Sequence, residues 1–201
     1  MLTDYAAIGG QEIWSALRTS RYLQTVGSPF DTGASWCTCE TLTRQNLDPD
    51  GALAPALYNT PATDPAPWYD AGYADSARFL GFLPLSVTGT EDNPVARNIT
   101  GAVGGGGVFG PARTLPRTMT VTGLLIGTSC CGVAYGLNWL AEALAGCTGD
   151  SCDGDCFEMF DCCPDTVLTK VQLDAQHSRT FRRVALMSGP TVTNRVGNGG
   201  S

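Results

Sequence analysis

The chain has 201 residues, of which 43% are hydrophobic, so one domain with an apolar core is expected. Charged residues make up only 15%, against roughly 25% in typical soluble domains. The net charge of −7 excludes a protein that binds nucleic acid through phosphate contacts, because such proteins need clustered Lys and Arg.

A surface with so few charges is typical of a subunit whose surface is partly covered by other subunits. A neutral, Gly-rich soluble protein is the plainer interpretation. We expect no secretory signal, because no basic region precedes an apolar run near Asp4. No stretch of about twenty apolar residues is present, so we expect no membrane span.

The N-terminal region predicts a turn, then either a short helix or a second turn, and then a strand. Gly9-Gly10 marks the turn. Ile13, Trp14 and Leu17 follow the spacing of an apolar helix face. Residues 22–26 then predict a strand.

Residues 27–40 predict a loop, and residues 41–77 predict a second, long extended loop. Recurrent prolines disfavour helices and strand ladders there: Pro49, Pro55, Pro61, Pro65 and Pro67. Long loops of this kind are usually functional, and Trp68 and Tyr69 favour a segment that docks on a partner over a disordered linker.

Two strands are predicted between residues 78 and 127. Residues 78–87 form the first, where Pro84 indicates an edge position. Four consecutive glycines at 104–107 lie between apolar residues and predict a hairpin tip. Residues 117–127 alternate Thr with apolar residues, which is typical of a half-buried strand with threonines facing outward.

A helix is predicted directly after this strand. Ser129 is a suitable N-cap and Gly146 a suitable stop. Tyr135 falls on the polar face. The apolar stripe consists of Val133, Leu137, Leu140, Ala141 and Leu144.

The last third predicts a Cys-rich loop over residues 146–164, with residues 157–160 as a short strand. Further strands are predicted at 166–174, 181–187 and 191–196. The whole predicts a mainly β domain over residues 1–201: a β-barrel or sandwich with one flanking helix and a long Pro-rich loop.

The nine cysteines leave three interpretations open. Cys147, Cys152, Cys156 and Cys162 lie in turns, without the Cys-x₂-Cys spacing of a zinc knuckle, and Cys37-Thr38-Cys39 is too tight for one. Disulfides within residues 147–163 are favoured over a bound metal, and free thiols packed as small hydrophobic groups are the third possibility. We assign no metal ligand and no cofactor.

No catalytic residue is predicted. His177 is the single histidine and falls in a polar turn, so it lacks the setting of a general base. Cys130-Cys131 at the helix start has the position of a reactive thiol, but burial is the commoner outcome. The acidic pairs Glu91-Asp92 and Asp153/Asp155 lie in turns, and no calcium-loop register is present.

Three stretches resemble minor tail proteins of tailed bacteriophages, in particular those of actinobacteria and the distal tail (Dit-like) adaptors. These stretches are residues 10–23, residues 113–140 and residues 182–192. The resemblance implies a tail-tube-like β-barrel with a flanking helix. It also implies a ring, usually six-fold, between the tail tube and the tail-tip or baseplate proteins.

The resulting prediction is a virion structural protein of the phage tail, assembled in the host cytoplasm and without enzymatic activity. Its expected partners are copies of itself, the tail tube protein and tail-tip proteins. DNA would only pass through the lumen, because like charge prevents adhesion. The alternatives are a head–tail connector, a decoration protein or a cysteine-rich metal-binding module.

Overall fold

The computed structural model describes residues 4–28, 39, 41–47, 57–101, 104–146, 154–160 and 163–196. The strands in these residues are β1 (Tyr5–Ile8), β2 (Gln11–Ser15), β3 (Phe79–Thr88), β4 (Val95–Ala96), β5 (Ile99–Gly101), β6 (Gly107–Phe109), β7 (Arg113–Thr114), β8 (Thr120–Gly127), β9 (Asp155–Phe160) and β10 (Ser178–Val184). The helices are α1 (Ala16–Thr25), α2 (Arg44–Leu47), a 3-10 helix (Ala74–Arg78), α3 (Cys130–Ala145) and α4 (Lys170–Gln176).

The predicted β+α class is confirmed, with antiparallel sheets throughout the described residues. The largest sheet has four strands in the order β10-β9-β1-β2. Gly9 and Gly10 make the tight turn between β1 and β2, as predicted. None of the sheets in the described ranges closes into a barrel.

The other six strands form one long, interrupted hairpin. β3 pairs with β8, β4 with β7 and β5 with β6, all antiparallel and nested one inside the next. Pro84 lies opposite Gly123 at a register shift in the β3/β8 ladder, which is consistent with its predicted edge position. The hairpin starts in the core at Phe79 and runs outward to the glycine tip.

Helix α3 begins and ends where the sequence predicts, and its predicted stripe is buried in part: Leu140 lies in the core and Leu144 packs against it. The Ser129 hydroxyl accepts a hydrogen bond from the Gly132 N–H, and Gly146 is the C-cap. The fully buried positions are Gly132, Gly136 and Leu140. A Cβ at Gly136 would overlap the Phe79 ring, so the glycines let the helix approach β3 closely.

Three apolar clusters form the core. The first lies between the four-stranded sheet, the base of the hairpin and α3: Ala6, Ile8, Ile13, Trp14, Phe82, Leu140, Phe157 and Met159. The second joins α1, residues 58–68 and β3: Tyr22, Leu23, Tyr58, Ala66, Trp68, Phe79 and Leu80. The third joins residues 39–47 to β9 and α4: Cys39, Leu42, Leu47, Phe160 and Leu173.

Two predicted strands are helices instead. The predicted strand at 22–26 is occupied by α1, which Ser15 caps through the Arg18 N–H, whereas Ile13 and Trp14 lie in β2. The predicted strand at 166–174 contains α4, which starts with a capping box between Thr169 and Gln172. The single-helix prediction is therefore wrong.

The alternating apolar residues at 167–173 led to the wrong prediction of a strand, because their side chains do not form one buried face. Val167 and Val171 are exposed, and Leu173 is the only buried residue of α4. Residues 191–196, predicted as a strand, have no regular structure. The prediction for residues 181–187 holds in part, since β10 spans Ser178–Val184.

Candidate functional site

The distal part of the long hairpin is an exposed apolar feature with regular backbone structure. We refer to residues 89–119 as the arm. Its ribbon has two strands and two open faces: Ile99 opposes Phe109 in the ladder, and Thr100 opposes Val108. The large apolar side chains of the arm are Val95 (56% exposed), Ile99 (66%), Val108 (65%), Phe109 (66%) and Leu115 (45%).

Polar contacts hold the base of the arm to the body. The Arg179 guanidinium donates to both carboxylate oxygens of Glu91, at 2.6 and 3.3 Å. This hydrogen bonding and the positive charge lower the pKa of Glu91 below its ordinary value. Arg117 donates to the Thr90 carbonyl and lies over the Phe181 ring. The arm therefore leaves the body in a defined direction.

The tip of the arm has a conformation suited to glycine. Gly104, Gly105 and Gly106 have φ values of 117°, 92° and 101°. L-residues rarely adopt these angles. The predicted hairpin tip is thereby confirmed.

The arm and the rest of the chain carry opposite charge. Beyond Asp92 the arm contains Arg97, Arg113 and Arg117 and no acidic residue. Outside residues 93–119 the chain has the other nine of the 12 basic residues and all 19 acidic residues, a net charge of −10 that includes Glu91 and Asp92 at the base of the arm. A basic, apolar ribbon is thus attached to an acidic body.

A second exposed apolar stretch follows β10. Leu186, Met187, Val192 and Val196 are exposed, and residues 185–196 form no helix or strand. This stretch has no regular backbone with which to present an interface, so it is a weaker candidate than the arm.

The described part of the Pro-rich loop does not extend away from the domain. Trp68 is buried in the chain's own core, where its indole N–H donates to the Phe79 carbonyl at 2.9 Å and its carbonyl accepts from the Tyr135 hydroxyl at 2.8 Å. Tyr135, which the sequence predicts on the polar face of α3, thus uses its hydroxyl to hold this loop. The docking prediction for Trp68 is corrected: the residue anchors its own loop. Residues 48–56 lie outside the described residues.

Buried ion pairs reinforce this anchoring. Arg44 pairs with Asp64 at 2.8 Å, and Arg18 pairs with Glu12 at 2.8 Å. The Arg18 guanidinium lies 4.4 Å from the centre of the Tyr58 ring. Burial lowers the pKa of Arg18, but the Glu12 carboxylate together with Tyr58 and Tyr22 more than offsets this effect, and the pKa is raised. The sequence offered no signal for these pairs, because their partners are assembled by the tertiary fold.

The cysteines are placed differently from the prediction. Cys163 forms a disulfide with Cys39, 124 residues away, rather than within residues 147–163. Cys130, Cys131 and Cys156 are free and exposed, so the expected burial of the pair at the start of α3 is wrong. The remaining cysteines lie outside the described residues: Cys37, Cys147, Cys152 and Cys162.

His177 lies at the end of a helix. It is the C-cap of α4 rather than a turn between two strands, and its N–H donates to the Leu173 carbonyl. One cluster of three potential metal ligands occurs in the described residues, and it does not include His177. Asp150 and Asp153 lie outside the described residues, and Asp155 lies at the start of β9.

No protein-family model, curated protein or solved structure matches this chain. Among the described residues, no helix is both long enough and apolar enough to cross a lipid bilayer.

Proposed function

We propose that this chain is a structural protein of a tailed-phage virion, a distal-tail or minor-tail adaptor that forms a ring between the tail tube and the tail-tip proteins. In this proposal it has no catalytic role. The observation that carries the proposal is the exposed, apolar and basic arm. The sequence resemblance described above supplies the placement in the tail.

The arm favours assembly because a two-stranded ribbon is marginally stable in water by itself. Both faces of the ribbon carry large apolar side chains that are about two-thirds exposed. Covering such a side chain completely contributes about 1.5–3 kcal/mol. Ile99, Val108 and Phe109 together offer enough apolar surface to stabilise a contact with another subunit.

The charge distribution favours a second copy of this chain as the occupant. The arm beyond Asp92 is basic, whereas the rest of the chain carries a net charge of −10. An arm that reaches the acidic body of its neighbour brings opposite charges together and repeats around a ring. Such head-to-tail contacts close into a ring when a whole number of the rotations that relate one subunit to the next makes up a full turn.

The sheet edges support the same arrangement. β2 and β10 are the outer strands of the four-stranded sheet. Edge strands present unpaired N–H and C=O groups to a neighbour. In this proposal a tail-tube-like barrel is completed between subunits, around a lumen through which DNA passes. The arm, rather than the Pro-rich loop, reaches the neighbour.

The first test measures self-association of the purified chain. Size-exclusion chromatography with light scattering is expected to show a ring, and Ile99→Ser/Phe109→Ser is expected to shift it to monomer. Val171→Ser is the matched control, because Val171 is equally apolar and 78% exposed but lies on α4. A wild-type monomer at every concentration, or a ring that survives the double substitution, contradicts the proposal.

The second test locates the chain on a native particle. Gold-labelled antibodies against the chain, viewed by electron microscopy, are expected to mark the junction of tube and tip. Label at the head–tail junction or over the capsid would favour the connector or decoration alternatives instead.

A further inference from the structure

Three potential metal-ligating groups from distant parts of the chain meet beside β1. Asp4 precedes β1, Cys39 belongs to the third core cluster, and Cys163 follows β9. Their ligand atoms all lie within 4.8 Å of one another, and the Cys163 Sγ lies 3.5 Å from the Asp4 Oδ2. The Cα atoms of the two cysteines are 5.3 Å apart.

Within the described part of the chain, the Asp4 carboxylate forms no salt bridge. The carboxylate is half-buried and accepts a hydrogen bond from the Cys39 backbone N–H. A half-buried carboxylate beside two sulfur atoms is a setting that a divalent cation would stabilise.

We propose that Asp4, Cys39 and Cys163 form a zinc-binding site when the disulfide between the two cysteines is reduced. Zinc takes thiolate and carboxylate ligands in a tetrahedral arrangement. With Zn–S bonds of 2.3 Å, the two sulfurs lie roughly 3.8 Å apart. Cysteines at this Cα separation reach that spacing by small side-chain rotations, and water completes the fourth position.

The electron and proton balance is simple. A dithiol reduces the disulfide by exchange: it gives up two electrons and its two thiol protons, the cysteines become two thiols and the reductant becomes a disulfide. A phosphine also supplies two electrons but consumes one water, whose oxygen ends in the phosphine oxide and whose two protons end on the cysteine thiols. Zinc binding then releases both thiol protons to solvent. Reducing compartments such as the cytosol keep cysteines in the thiol form that this step requires.

The surroundings of the cluster suit a thiol as well as a disulfide. The Thr41 hydroxyl lies 3.1 Å from the Cys39 Sγ and donates to the Pro164 carbonyl at 2.7 Å. Because the hydroxyl proton is used in that bond, Thr41 accepts a hydrogen bond from a Cys39 thiol. Cys39 is buried whereas Cys163 is exposed, so an ion has access from the Cys163 side.

Metal binding is tested on the full chain kept reduced with a phosphine. Cobalt(II) is the spectroscopic substitute: it is expected to bind one ion per chain with thiolate-to-cobalt charge transfer and tetrahedral visible bands, and zinc is expected to displace it. Cys39→Ser and Cys163→Ser should abolish the charge transfer. Asp4→Asn should weaken zinc binding by about tenfold or more.

Two matched controls separate this site from the other cysteines and acids. Cys156→Ser removes an exposed free thiol on β9, and Asp165→Asn removes an exposed carboxylate two residues from Cys163. Both should leave affinity and spectrum unchanged. Cys163→His keeps a zinc ligand, so it should retain binding while losing about half of the charge-transfer intensity.

Absence of cobalt binding by the reduced wild-type chain would overturn the proposal. So would an unchanged spectrum in Cys39→Ser or Cys163→Ser, which would assign the metal to other cysteines. Undiminished zinc affinity in Asp4→Asn, with the fold verified by circular dichroism, would remove Asp4 from the site. These readouts do not depend on ring formation, so they can fail or succeed separately from the assembly proposal.

Discussion

Two long segments of the chain leave the core, and only one of them packs back against it. Residues 57–78 fold back and become part of the core, whereas the arm at 89–119 stays in solvent. Both are rich in residues that disfavour regular structure, with prolines in the first and glycines in the second. The difference lies in what each brings to the core: the first contributes Trp68 and Asp64, whereas the arm contributes only Met119 at its base and exposes its other described large apolar side chains.

The comparison shows that composition alone does not decide whether a loop docks on its own domain. A large aromatic side chain with a hydrogen-bonding N–H can fill a core and satisfy its polar group at the same time. A two-stranded ribbon satisfies its backbone by pairing with itself, so nothing requires it to return to the body. Four substitutions test this contrast between residues 57–78 and the arm.

Trp68→Ala is expected to lower the free energy of unfolding by about 5 kcal/mol, the upper end of the range for a buried aromatic. The substitution leaves a cavity beside Tyr22, Phe79 and Trp139 and leaves the Phe79 carbonyl without its donor. Urea denaturation followed by circular dichroism measures the change. Tyr73→Ala, at an exposed aromatic nearby, is the control; a similar loss for both would show that Trp68 is not the anchor.

Asp64→Asn is expected to cost about 3 kcal/mol, because it leaves a buried Arg44 charge without its counter-ion. Asp64 also accepts the Asn59 N–H, so the turn at residues 57–60 loosens with it. The same denaturation experiment measures this loss. Asp174→Asn breaks the exposed Lys170–Asp174 pair and should change stability by less than about 1 kcal/mol.

Phe109→Ser should change monomer stability by less than about 0.5 kcal/mol, since the side chain is 66% exposed and belongs to none of the three core clusters. Self-association should fall at the same time, because the substitution removes apolar surface that a neighbour would cover. Denaturation of the isolated monomer and light scattering report the two quantities separately. A large loss of monomer stability would mean that the arm packs on its own body, like residues 57–78.

The Glu91–Arg179 contact gives a small, pH-dependent effect at the base of the arm. Since folding lowers the pKa of Glu91, its contribution is present above the ordinary value of 4.5 and is lost as pH falls through the lowered value in the folded protein. An NMR titration of the Glu91 carboxyl carbon should show the lowered pKa. Arg179→Gln should return it to about 4.5, and an unchanged titration would show that the pair does not form in solution.

Local patterns predicted the elements that depend on local chemistry. Ser129 and Gly146 mark the two ends of α3. Both ends could be predicted because an N-cap needs only a suitable side chain at one position, and a C-cap needs only a residue that adopts a positive φ. The glycine tip and the alternating strand β8 were found for the same reason. The strand at 166–174 was predicted wrongly because alternation resembles a strand even where neither face is buried, and the capping box at Thr169 carried the stronger local signal.

The candidate sites were harder to predict because they join distant residues. Nothing near Cys163 in the chain indicates that Cys39 lies beside it, or that Asp4 lies next to both. The arm was visible only in part: its tip was predicted, but its exposure depends on how far β3 and β8 extend beyond the core.

The sequence by itself determined the antiparallel β+α class, the glycine hairpin and the span of α3, since propensity, capping and alternation act over a few residues. Only the tertiary structure decided that Trp68 faces inward and Phe109 outward, and that Asp4 meets two cysteines. Those outcomes depend on which surfaces lose water together, and this is set by contacts between segments far apart in the chain.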